Sequence, residues 1–238
     1  ASATSSIQTY AEDTTNISFV LLGYWTSGYY TERMDQIDPG ITNATWGNIN
    51  LNSYGVASGT IAEMVLGNWN ANAENNAGVR RSGSSLNRYA NIHESEAGGI
   101  NTVTMHVMAS SSNATIQGYA QVEGANGAGV DYYLVGYWNQ KPTGLDYNER
   151  FDDLGGPGTG STWTDRALDG FSVPPEAIAE VMFANAADAN LSSILGVRTN
   201  GSTIDRSINL HEAEAGGWSI ARAHVKADST ASSTIEYY

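Results

Sequence analysis

Two stretches of this sequence suit chemistry by residue type and spacing: His93-Glu94-Ser95-Glu96 and His211-Glu212-Ala213-Glu214. A metallopeptidase helix carries His-Glu-x-x-His, which brings two histidines to one ion from one helical face. Here the second histidine of that pattern is missing, and the surrounding residues alternate as a strand does. On a strand His93 points away from Glu94 and Glu96, so the three do not converge on one ion. Glu94 and Glu96 share a face about 7 Å apart, one pleat repeat. That separation suits an inverting glycoside hydrolase, with one carboxyl as acid and the other as base. Glu212 and Glu214 repeat the arrangement. Arg88 and its counterpart Arg206 fall on the same faces as these carboxylates. An inward carboxylate beside an inward arginine is expected to be a paired core charge rather than a catalytic acid.

The four histidines recur as the pairs His93/His211 and His106/His224. There is no cysteine, and no acidic cluster completes a ligand set with them at sequence spacing. They are expected to be strand histidines hydrogen-bonded in place, with no metal and no cofactor. Asp35, Asp38, Asp152 and Asp153 fall in stretches rich in Gly and Asn, whose oxygens calcium would accept. The EF-hand spacing is absent, however, and Gly155 stands where the first copy has Asp38. No Gly-x-Ser-x-Gly, phosphate loop or dinucleotide fingerprint occurs. The sequence therefore reads as that of a protein without a catalytic set. Trp25/Trp138 and Trp46/Trp163 recur and are expected in the core. Trp69 and Trp218 do not recur, which makes them the candidates for contact with a partner. Sequons at Asn16, Asn43, Asn113, Asn190 and Asn200 are what an Asn- and Ser-rich chain produces by chance.

The elements that must position these residues come in two copies. Phe19-Val20-Leu21-Leu22-Gly23-Tyr24-Trp25 returns as Tyr132-Tyr133-Leu134-Val135-Gly136-Tyr137-Trp138, and Glu32-Arg33 as Glu149-Arg150. Ile61-Ala62-Glu63 returns at Ile178-Ala179-Glu180, and Gly78-Val79-Arg80 at Gly196-Val197-Arg198. The spacing grows from 113 to 117 to 118 residues, so few insertions separate the copies. A third fragment also recurs: Ser5–Ala11 resembles Ala114–Ala120 and Ser233–Tyr238. One strand type thus stands at the start, middle and end. Residues 1–13 can pair within their own chain, or complete the sheet edge of a neighbouring one.

Helical periodicity is weak. Residues 174–187 are the best helix candidate, but their counterpart Ile61–Leu66 reads as a strand, so both are predicted to be strands. Further strands are expected at 17–25, 78–82, 86–96, 100–109 and 114–122, with their repeats. Gly98-Gly99 and Gly216-Gly217 read as two-residue hairpin turns. That register sets Glu94 opposite Val103 and Ile92 opposite Met105. It makes the face of Leu86, Arg88, Ala90 and Ile92 the inner one. Short strands between Gly, Asn and Ser turns predict an all-β fold of two tandem sandwich or jelly-roll-like modules, residues 1–123 and 124–238.

Composition narrows the partners. The chain of 238 residues carries 25 acidic and 11 basic side chains, a net charge of −14. Phosphate backbones need Lys and Arg, so nucleic acid is not an expected partner. Anionic membranes would repel the chain, and no apolar run reaches spanning length.

The run Gly78-Val79-Arg80-x-x-Gly83-Ser84-Ser85-x-x-Arg88-x-x-x-Ile92-His93-Glu94-x-Glu96-x-Gly98-Gly99, with its partner from Gly196 to Gly217, resembles repeat modules in virion structural proteins of tailed phages, of decoration or fibre-like type. The resemblance implies β-rich modules on the outside of a particle, built for assembly or host-surface contact. The expected function is accordingly structural: a capsid decoration or fibre-like virion protein, or a subunit of an extracellular assembly. Its partners would be copies of itself, another structural protein or a surface glycan. The interaction candidates are Arg88, Glu94, Arg206, Glu212, His93, His211, Trp69 and Trp218. The alternatives are a pair of carbohydrate-binding modules and, behind it, a glycan-cleaving enzyme.

Overall fold

The structure is a computed structural model that describes residues 30–38, 40–69, 73–94, 100–122, 129–138, 147–155, 162–186, 191–212 and 218–238. In chain order its first strands are β1 (Tyr30–Ile37), β2 (Gly47–Asn50), β3 (Ile61–Asn68), β4 (Ala73–Arg81), β5 (Ala90–Glu94), β6 (Asn101–Met108), β7 (Thr115–Ala120) and β8 (Val130–Trp138). Then come β9 (Thr164–Ala167), β10 (Ile178–Asn185), β11 (Leu191–Thr199), β12 (Ser207–Glu212), β13 (Ser219–Lys226) and β14 (Thr234–Tyr237). The predicted all-β class is what the chain forms, and all described strand pairs are antiparallel.

Two four-stranded sheets, ordered β1-β8-β3-β6 and β2-β7-β4-β5, make the first sandwich. Alternation drives it: Ala62, Met64 and Leu66 of β3, Val103, Met105 and Val107 of β6, and Tyr132 and Leu134 of β8 are buried. They meet Ile49, Val79, Ala90, Ile92 and Ile116 from the facing sheet. In the second half β12-β11-β14-β9 faces the pair β10-β13 over a smaller core of Leu168, Val181, Val197, Val225 and Ile235. The elements follow one order in both halves, each with a 3-10 turn, Asn52–Tyr54 and Asp169–Phe171, ahead of β3 and β10. One buried amide bridges the layers in each: Asn68 Nδ2 donates to Ile92 O at 2.8 Å, and Asn185 Nδ2 to Leu210 O at 2.9 Å. β8 follows residues 123 and 124, yet it lies between β1 and β3 in the first sandwich.

Residues 174–187 do contain a strand, β10, as their counterpart predicts. The expected strand at 86–96 is shorter and begins at Ala90; that at 78–82 begins earlier, at Ala73. Strands β1, β2 and β9 were not expected. Among the described residues, β5 and β6 do not pair as the expected hairpin requires. β5 pairs with β4, setting Ile92 beside Asn75, and β6 pairs with β3, setting Met105 beside Met64. Both strands turn apolar faces to one core, so the chain crosses between layers instead of folding flat within one. The inner face survives this correction: Arg88, Ala90 and Ile92 are buried. The turn residues 98, 99, 216 and 217, the expected strand at 17–25 and the N-terminal segment 1–13 lie outside the described residues.

Candidate functional site: a histidine–carboxylate cluster between two sheets

The charged residues of the first sheet gather on its outer side. Along β3, Ala62 and Met64 point into the core, so Glu63 between them points out. The register of β3 and β6 sets Glu63 opposite His106. In the second half, β10 and β13 set Glu180 opposite His224 in the equivalent way. The two carboxylate–imidazole pairs face each other, with the rings of His106 and His224 5.4 Å apart.

His106 is buried at the centre. Its Nδ1 lies 3.2 Å from Glu180 Oε2 and its Nε2 3.9 Å from Glu63 Oε1. Arg222 of β13 pairs through Nη1 with Glu180 and approaches Glu63 Oε1 at 3.7 Å through Nη2. Two tyrosines close the cluster in equivalent positions. Tyr30 donates to Glu63 Oε2 at 2.6 Å, and Tyr147 donates to Glu180 Oε2 at 2.8 Å. Burial by itself would raise the Glu180 carboxyl. The hydrogen bond and charge of His106, the charge of Arg222 and the Tyr147 hydroxyl outweigh it and bring Glu180 down to about 2. Burial also pushes the Tyr147 hydroxyl up, helped by Glu180, so it remains a donor. Burial is the main cause that holds His224 below its ordinary value, which favours neutral imidazole.

A second buried charge joins this cluster to the first core. Arg88 donates to Val79 O at 3.3 Å, His106 O at 3.1 Å and Tyr147 Oη at 3.0 Å. Its described carboxylate is Glu149, at 3.7 Å. Glu149 also accepts from Arg81 N at 2.8 Å and Met108 N at 3.3 Å. The expected partner of Arg88 is Glu94, whose side chain lies outside the described residues; the carboxylate described beside Arg88 is Glu149, from the second half of the chain. The side chains of Glu94 and Glu212, and residues Glu96 and Glu214, lie outside what the structure describes. Arg206 is half-buried, His93 half-buried and His211 exposed. Trp69 and Trp218, the contact candidates, are both half-buried, Trp69 beside Asp131 and Tyr133.

Sequence reasoning singled out His93 and His211, but the structure brings His106 and His224 together. Their recurrence was the visible signal. The missing information was that β6 pairs with β3, which supplies the carboxylate. The loop aspartates do not gather: Asp35 lies within β1, bonded to Arg33 at 2.6 Å, and Asp152 lies 3.7 Å from Arg150. Asp38 and Asp153 instead accept from Gly40 N and Gly155 N.

Trp46 and Trp163, expected in the core, are only half-buried, and each lies under an arginine. Arg80 lies 4.0 Å over the ring of Trp46, and Arg198 4.1 Å over that of Trp163. Arg80 is fixed there by Gln117 Oε1 and Leu86 O. Replacing Arg80 by alanine is expected to lower stability by about 1–2 kcal/mol, from the lost cation–π contact and hydrogen bonds. Urea unfolding checks this, and an unchanged midpoint would contradict it.

No family model matches the chain, and no curated protein does. Among solved structures it is similar to a chain of the virus-like particle of the extra small virus of the giant freshwater prawn Macrobrachium rosenbergii. That likeness has 14% identity and a TM-score of 0.28, over 56% of this chain and 95% of that one. It is also similar to the tandem CBM22-1–CBM22-2 domain of Paenibacillus barcinonensis Xyn10C, with 12% identity and a TM-score of 0.22, over 88% of this chain and 85% of that one. Both likenesses are slight. Among the described residues no helix is long and apolar enough to cross a membrane.

Proposed function

We propose that the chain is a structural protein that works by protein–protein contacts, as a decoration or fibre-like component on a particle or in an extracellular assembly. The observation that carries this reading is the unequal burial of equivalent faces. In the first sandwich Arg88 and Ala90 are buried, 7% and 0% exposed. At the equivalent positions of the second half, Arg206 is half-buried and Ile208 is 40% exposed, and Ile204 before it is 64% exposed. β12, which carries Ile208, is an edge strand among the described residues. An edge strand bearing exposed apolar side chains is a ready contact for another chain. The cluster of Glu63, His106, Glu180, Arg222 and the two tyrosines supports the same reading. Its groups bind one another across a sheet-to-sheet boundary, which suits holding two halves in register. In this reading the protein performs no reaction on a substrate.

The test is the mass of the full chain by light scattering, for wild type and for Ile204→Asp/Ile208→Asp. Both positions are exposed, so the fold should tolerate the changes. Wild type is expected to associate at high concentration and the double variant to stay monomeric. A wild type that stays monomeric under all conditions, and ignores candidate structural partners, would sink the proposal.

A second reading has its own observation. Trp46, Tyr119, Tyr89 and Phe151 form a row of rings with centroid separations of 5.4, 5.3 and 6.3 Å. Such a row resembles a platform for sugar rings. Arg80 already covers the face of Trp46, however, which leaves Tyr89 and the exposed Phe151 for a ligand. Glycan-array binding that is lost in Phe151→Ala, with the mass unchanged, would favour this reading over assembly.

A further inference from the structure

We propose that His106, His224 and Glu180 form a binding site for a divalent transition cation of the zinc class, held between the two halves of the chain.

The geometry comes from the paired registers described above. One nitrogen from each imidazole and one Glu180 oxygen lie within 4.8 Å of one another. Three ligands around zinc at about 2.0–2.2 Å bring their donor atoms to about 3.3 Å apart. Side-chain adjustment of an ångström or so closes the set. Two imidazoles and a carboxylate select zinc, copper, nickel or cobalt over calcium and magnesium, which prefer oxygen alone.

The surroundings supply what a metal site needs behind its ligands. His106 presents Nδ1 to Glu180 and Nε2 to Glu63. A cation on Nδ1 leaves the Nε2 proton facing the Glu63 carboxylate, which fixes the ring and makes it a better donor. Glu180 is held on its other oxygen by Arg222, and Tyr147 steadies the oxygen that would bind. With both imidazoles neutral, as ligation requires, Glu63, Glu180 and Arg222 leave the cluster one negative charge for the cation to meet. In the metal-free protein His106 and Glu180 bond to each other, so the cation replaces a shared proton. Because the ligands come from β6, β10 and β13, the ion would tie the first sandwich to the second.

The test uses the full chain freed of metal by chelation and dialysis. Calorimetric titration with Zn2+ is expected to show one ion per chain. Titration with Cu2+ should give an electron paramagnetic resonance spectrum with couplings to two imidazole nitrogens. His224→Gln and Glu180→Gln should each weaken Zn2+ binding by at least about 100-fold, while His211→Gln binds as wild type does. Absence of Zn2+ binding, or binding that persists in folded His224→Gln, overturns the proposal. If that variant does not fold, the copper spectrum of wild type decides: two nitrogens support the site, and one or none overturns it. Failure here leaves the assembly reading standing, because that reading does not need the ion.

Discussion

Replacing Arg88 by methionine is expected to destabilise the protein by about 3–5 kcal/mol, the usual cost of removing one partner of a buried ion pair. Methionine keeps much of the stem volume, so the loss reports the guanidinium rather than a cavity. Two carbonyls, Val79 O and His106 O, and the Tyr147 hydroxyl lose a donor. Glu149 is left charged in a buried position, held among the described residues by the amides of Arg81 and Met108. The discriminating measurement is a double-mutant cycle by urea unfolding. Glu149→Gln removes the orphaned charge, so Arg88→Met/Glu149→Gln should be less damaged than the sum of the two single changes by about 1–3 kcal/mol. Strictly additive effects would show that the two groups do not act together. The variant also probes the joint between the two halves of the chain, because Tyr147 and Glu149 follow β8 while β4, β5 and β6 precede it.

Gly78→Ala is expected to cost about 3 kcal/mol, at the upper end for forcing one extra carbon into a packed interior. The ladder between β4 and β5 ends at Ala77 and Ala90, and the chain entering β5 then lies directly against Gly78. A Cβ there would overlap the carbonyl oxygen of Arg88 and come within 2.6 Å of Tyr89 Cα. Backbone cannot swing aside as a side chain can, and moving it would also displace the Arg88 guanidinium. Gly196→Ala should cost less, about 1–2 kcal/mol, because its nearest neighbours, Arg206 O and Ser207 Cα, stand at 2.5 and 2.9 Å. Gly170→Ala is the control, since a Cβ there meets nothing within 4 Å. Urea midpoints at constant slope measure all three. If Gly78→Ala matched Gly170→Ala, the close approach would not matter to stability.

Gly78 lets two backbones touch, and Arg88 bonds across that approach to Val79 O. A similar case is Gly136, where a Cβ would run into the Tyr30 ring that carries its hydroxyl to Glu63. Gly136 of the Gly-Tyr-Trp motif thus marks a close approach that serves the histidine cluster.

The sequence by itself determined the strand class, the inner face of the first half and the recurring positions, whereas Ile204 and Ile208 on the equivalent face of the second half are exposed. These rest on period-two alternation and on residue types fitted to backbone geometry, which are local properties. Ala62, Met64 and Leu66 bury as their spacing requires, and the face of Arg88, Ala90 and Ile92 turns inward as read. Pairing was decided only by the tertiary structure. The alternation of β5 and β6 fits a hairpin as well as it fits two layers of a sandwich, because both leave the same side chains inside. Packing of the whole core chooses the second, and that choice moves β6 beside β3. The consequence for the site follows directly. His106 meets Glu63 across β3 and β6, and Glu180 and His224 across the boundary between the halves, through contacts between residues more than forty positions apart. Spacing along the chain carries no record of such meetings, since each depends on which strands become neighbours and which sheet faces come to rest on each other.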